Sequence, residues 1–141
     1  MTRRAVPAAA LALMLSACAI PTTLTPQIAP ASTAFAQAQR IEVTLSNFAF
    51  APQTLSLRAG QPVVLVLTNA SNGGHNFAAP DFFAATQIAQ SDAAVIADGQ
   101  VEVAANSSVE LRLVPRAGAY DVECTHFGHS IRGMIGSIVV R

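Results

Sequence analysis

The chain has 141 residues, enough for one domain with its own core, and 52% of them are apolar against 11% charged. That balance excludes a disordered chain and a highly charged binding surface. Eight arginines oppose eight carboxylates, and there is no lysine, no basic stripe and no array of base-stacking aromatics, so nucleic acid is not an expected partner.

The first segment has the layout of an export signal. "MTRR" is positively charged, and "AVPAAALALML" is an apolar run too short to span a bilayer as a stable helix. "LSAC", residues 15–18, follows directly and resembles a bacterial lipobox, in which cleavage precedes a cysteine that becomes lipidated. Residues 1–17 are therefore expected to be a lipoprotein signal peptide, with lipidation at Cys18. A second small-residue site, "AFA" at 34–36, lies far beyond the apolar run. Removal of Arg3 and Arg4 with the signal leaves six arginines against eight acids, a net charge of −2. With Cys18 assigned to the lipid, Cys124 has no disulfide partner and needs another reason to persist in an oxidising compartment.

Residues 18–39 hold three prolines among Thr, Ser, Ala and Gln without periodicity, and are expected to be a flexible tether. Fully extended it would reach about 70 Å, and on average about 25 Å.

From residue 40 to 141 short apolar alternations are punctuated by turn residues, the pattern of an all-β domain. "IEVTL" alternates, and Leu55 and Leu57 lead into a Gly60–Gln61–Pro62 turn. Val63 to Leu67 is apolar on both faces and is expected as a central strand. "QVEVAANSSVELRLV" supplies two more strands, "AYDVECT" aims Cys124 inward, and "GSIVV" closes the chain. Residues 82–97 suit a short helix or flap. Roughly seven strands and one helical excursion predict a Greek-key β-sandwich.

"ECTHFGHSIRGM", residues 123–134, concentrates Cys124, His126, His129 and Met134. Thiolate, thioether and imidazole together select copper, whereas zinc accepts methionine poorly as a fourth ligand. A trigonal site needs a second imidazole. His75, behind Gly73 and Gly74, is the one remaining histidine, and those glycines are expected to allow a sharp turn that presents it.

From about residue 40 onward the chain resembles the cupredoxins, a blue-copper family. "YDVECTHFGHSIRGMIGSIVV" is similar to that family's closing loop and strand, and "NFAFAPQTLSLRAGQPVVLVLTN" to its opening strands. The resemblance implies one copper ion with His75, Cys124 and His129 as equatorial ligands and Met134 as the long axial one. It also implies that Asn76 donates its backbone amide to the thiolate and ties the two ligand loops together with its side chain. His126 departs from the family's pattern. Cys-x-His leaves little chain to swing that ring back to the ion, so His129 is the expected ligand and His126 is expected to be exposed or to hydrogen-bond from outside the ligands.

A shell filled by protein implies a one-electron carrier that is not an enzyme, exchanging with protein donors and acceptors as a monomer in the bacterial cell envelope. The expected docking surface lies around His129, with Phe127 and Ile131, while Phe82 and Phe83 are expected in the core. Oxidase and nitrite-reductase readings require histidines flanking the cysteine, and here Glu123 and Thr125 stand there. A dinuclear copper site would need a second loop cysteine where the chain has Gly128. The rival reading is a copper-handling lipoprotein without a redox partner.

Overall fold

A computed structural model describes residues 26–141, so the expected signal peptide 1–17 and the lipidation at Cys18 lie outside the described residues. Each apolar alternation becomes a strand with one buried face, as period-two patterning requires. In chain order the strands are β1 (Gln27–Ile28), β2 (Gln39–Ser46), β3 (Ala49–Ala51), β4 (Thr54–Leu57), β5 (Val63–Asn69), β6 (His75–Ala78), β7 (Gln87–Ile88), β8 (Gln100–Val103), β9 (Ser108–Val114), β10 (Gly118–Glu123) and β11 (Ile135–Val140); among the described residues there is one α-helix, α1 (Pro80–Ala85), and a 3-10 turn at each of Phe35–Gln37 and Ala93–Val95.

They form two sheets, β1-β7-β9-β5-β2-β3 and β4-β11-β10-β6-β8. β5 lies between β2 and β9, and its first five residues are all buried, which accounts for a run apolar on both faces. The inner faces meet in one core, with Leu45, Leu65 and Leu111 from the first sheet against Phe77, Val122 and Ile138 from the second. The all-β sandwich with one short helix is as expected, with more and shorter strands than the alternation alone resolved.

Two stretches differ from expectation. Residues 27–38, taken as tether, lie on the domain: β1 runs parallel to β7, the Ala29 N–H donates to Ile88 O at 2.8 Å, and the Gln27 side-chain amide donates to Ala84 O at 2.8 Å. β7 would otherwise expose unpaired backbone groups along its outer edge, and β1 covers them. The helix occupies Pro80–Ala85, not 82–97, because Pro80 opens it in the first turn and the chain then enters β7. Past β7, buried Asp92 accepts hydrogen bonds from the Arg112 amide at 2.8 Å and its Nε at 2.9 Å, fixing that segment to β9.

Candidate metal centre

β2 and β5 rise side by side to one end of the sandwich, and the β5–β6 connection there presents His75. Asn69, 1% exposed, shapes that connection. Its Nδ2 donates to Gly73 O at 2.8 Å and Val103 O at 3.0 Å, while its Oδ1 accepts the Ser71 amide at 2.9 Å. Neither Gly73 nor Gly74 has a positive φ, so the turn does not depend on left-handed backbone. Gly74 is small for a different reason: a Cβ there would stand 3.3 Å from His126 Cε1 and 3.4 Å from Glu102 Oε1.

His75 is fully buried, and its Nε2 donates to Asn47 Oδ1 at 2.9 Å. Asn47 was not anticipated. Its carbonyl oxygen only accepts, so it fixes the proton on Nε2 and leaves the Nδ1 lone pair aimed into the site. Such a partner behind a ligating imidazole sets its tautomer and orientation.

The second segment is the loop between β10 and β11. Its ends are closed by the Cys124 N–H donating to Met134 O at 3.0 Å, and within it the Met134 N–H donates to His129 O at 3.1 Å. Gly128 and Gly133 take φ values of 79° and 100°, which residues with a Cβ seldom adopt, so the loop's tight return needs glycine at both points. Cys124 and Met134 are fully buried and His129 is half-buried.

Three donors converge between these segments. Cys124 Sγ lies 3.8 Å from His75 Nδ1 and 3.4 Å from His129 Nδ1, and the two nitrogens are 3.1 Å apart. A triangle with these sides has its centre about 2.0 Å from each corner, the length of a metal–imidazole bond. One thiolate and two imidazoles converge, and the Cys124 loop also carries a buried thioether, Met134; these donor types suit copper, so the residues fit the ion. The electrostatics agree. Burial, followed by the like charges of His129 and His126, lowers the pKa of His75; burial, followed by His126 and Arg132, lowers that of His129. Both rings are thereby kept neutral and able to ligate near pH 7.

Asn76 links the two segments. Its Oδ1 accepts the Thr125 amide at 2.8 Å, and its Nδ2 donates to Thr125 Oγ1 at 2.7 Å and Gln100 Oε1 at 3.1 Å. The implied hydrogen bond from the Asn76 amide to the sulfur is not among those formed by the described residues. His126 is outside the converging group: its Nε2 bonds Glu102 Oε1 at 2.9 Å on the rim. Phe48, a second unanticipated neighbour, stands edge-on to His129 at 4.8 Å and carries the Arg132 guanidinium over its ring at 4.7 Å. Phe127 and Ile131 are 103% and 92% exposed beside His129, whereas Phe82 and Phe83 are in the core.

Residues 8–140 match the family model described as cupredoxin-like domain. The chain is 33% identical over 114 residues to the copper-resistant cuproprotein CopI of Rubrivivax gelatinosus, covering 75% of this chain and 69% of that protein. Among solved structures it resembles auracyanin B at a TM-score of 0.58 and 22% identity, covering 82% of this chain and 94% of the other. The McoA multicopper oxidase of Aquifex aeolicus aligns at a TM-score of 0.60 and 18% identity over 82% of this chain but 31% of its own. These two structural likenesses concern the fold.

Proposed function

From the premise that the chain belongs to the cupredoxin-like domain family and binds copper, we propose that it is a mononuclear type 1 copper protein carrying one electron at a time in the bacterial cell envelope. His75, Cys124 and His129 would hold the ion through their strong donors and Met134 would add its weaker thioether. Copper supplies the one-electron couple between Cu+ and Cu2+. The chain's part is to hold the donors still and to keep water from the sulfur.

One observation carries the reading: of the three converging side chains only His129 reaches the surface, and it does so beside exposed Phe127 and Ile131. The buried thiolate is one imidazole away from an apolar face on which a redox protein can dock. No position is left for a substrate, so the protein is a carrier and not an enzyme. It is a monomer, anchored by lipid at Cys18 and exchanging electrons with a protein donor and a protein acceptor.

The similarity to a copper-resistant cuproprotein favours a second reading, copper handling without a redox partner. Voltammetry of the copper-loaded protein separates the two. Fast reversible one-electron exchange, together with an intense thiolate-to-copper band that survives His126→Ala, is expected of the carrier. Slow, irreversible exchange with ready loss of copper to a chelator would replace it with the handling role. Acylation is read separately, from the mass of the N-terminal peptide of protein extracted from membranes.

A further inference from the structure

The six arginines of the described residues are unevenly placed. Arg40 is paired with Glu110 at 2.6 Å, Arg112 with Asp92 at 2.7 Å, and Arg132 lies over Phe48 at the metal end. Arg58, Arg116 and Arg141 are exposed and make no ion pair among the described residues.

All three lie at one pole. β4 and β11 run parallel and finish together, Leu57 opposite Val140, so Arg58 and Arg141 follow at the same end. The Ala59 N–H donates to Arg141 O at 2.9 Å and the Gly60 N–H to Pro115 O at 2.8 Å, which brings the Arg116 turn into the same backbone cluster. This is the pole away from the metal centre, since β10 climbs from Gly118 here to Glu123, next to Cys124. No carboxylate side chain lines either hollow at this end, one bounded by Gln27 and Arg116 and the other by Ser56 and Arg141. Eight carboxylates against six arginines make the domain acidic as a whole, so collecting half its arginines here sets up a marked polarity.

The chain also enters the domain at this pole. Gln27 pairs with Gln87, which in turn faces Val114 just before the Arg116 turn. Because residues from Gln27 onward lie on the sandwich, the stretch from Cys18 to the domain spans at most about 30 Å. That is short enough to hold the pole near a membrane surface, whose field fades within a Debye length of about 8 Å.

We propose that the pole carrying Arg58, Arg116 and Arg141 rests on anionic phospholipid headgroups, so that the domain stands with its metal end facing away from the membrane. The proposal rests on the lipid anchor at Cys18. Guanidinium groups engage phosphate oxygens in pairs, and each arginine near an anionic surface strengthens binding roughly fivefold. Three together give on the order of a hundredfold, enough to decide how an already tethered domain is oriented.

The copper-loaded chain from residue 18 onward, coupled through the Cys18 thiol to maleimide lipid, is tested by hydrogen exchange on two kinds of vesicle. Protection of residues 58–61 and 115–118 is expected on vesicles containing phosphatidylglycerol and not on pure phosphatidylcholine. It should vanish in the R58Q/R116Q/R141Q variant, whose retained copper spectrum reports an intact fold. Equal exchange of these segments on both vesicle types, or protection of 125–133 in their place, overturns the proposal. Chemical coupling makes the result independent of acylation in the cell: a membrane-extracted protein with no acyl mass on Cys18 would refute the anchor and leave the vesicle measurement standing.

Discussion

Asn76→Ala cuts the link between the two segments that carry the donor atoms. Asn76 is 3% exposed, and its side chain makes two hydrogen bonds to Thr125, at 2.8 and 2.7 Å, and one to Gln100 at 3.1 Å. A neutral hydrogen bond contributes about 1 kcal/mol net. The Gln100 contact is partly redundant, because Thr125 Oγ1 also donates to Gln100 Oε1 at 3.2 Å, so the two bonds to Thr125 carry the cost. That sums to about 2 kcal/mol, or a fall in melting temperature of roughly 10 °C for a domain of this size. Thermal unfolding is to be followed with and without copper, alongside the visible spectrum. The copper-loaded form should lose more, because Thr125 adjoins Cys124 and its displacement moves the sulfur. A melting temperature unchanged in both forms would show that water replaces the amide and that the link holds nothing together.

Further outcomes follow from other contacts. Gly136→Ala should destabilise by about 1–3 kcal/mol, since its Cβ would stand 2.7 Å from the backbone oxygen of Gln53; a near-normal unfolding midpoint in urea would show that this crossing can yield. Burial pushes the Asp92 carboxyl up, but hydrogen bonds from the Arg112 side chain and amide and from Ser91 outweigh it and hold the pKa below its ordinary 3.8. The stability it contributes is therefore present above that value and lost as pH falls through the lower folded one, and Asp92→Asn should flatten the acid limb of melting temperature against pH. With the His75 and His129 pKa values depressed, the unfolded chain binds more protons below about pH 6.5. The copper-free protein should accordingly lose stability as pH falls from 7 to 5, with a shallower slope in His75→Gln, again measured by thermal unfolding.

Cys124, His129 and Met134 could be recognised as a group because one short loop carries them all, and His75 because a trigonal site lacked one imidazole. The strands were legible where a half-buried sheet imposes alternation, as in "IEVTL". β1 was not, since two residues show no periodicity and their reason for pairing is the open edge of β7, sixty residues later. Asn47 escaped notice for a related reason. It acts on His75 across 28 positions of sequence, through a side-chain carbonyl that looks like any other turn residue. The glycines before His75 were recognised as meaningful on the wrong ground: Gly74 makes room for His126 and Glu102 and needs no unusual backbone angle.

The choice between carrying electrons and handling copper turns on how firmly the donors are held. A handling site has to surrender its ion, which requires at least one ligand that swings away at little cost. Here each side chain is restrained from behind. Asn47 grips the far nitrogen of His75, and Asn69 sets the loop leading to it. The Cys124 amide bonds back to Met134 across the mouth of the second loop, and Asn76 clamps Thr125 beside the sulfur. His129 is the least enclosed, yet its carbonyl accepts from both Arg132 and Met134, and Phe48 lies against its ring. A donor that swung away to let the ion go would break the contact behind it, whereas a one-electron exchange would call for no such movement. Removing one restraint at a time, with Asn47→Leu or Phe48→Ala, should therefore raise the rate at which a chelator strips copper; if that rate is already fast in the parent protein and neither change alters it, the restraints do not govern retention and the handling role is the better account.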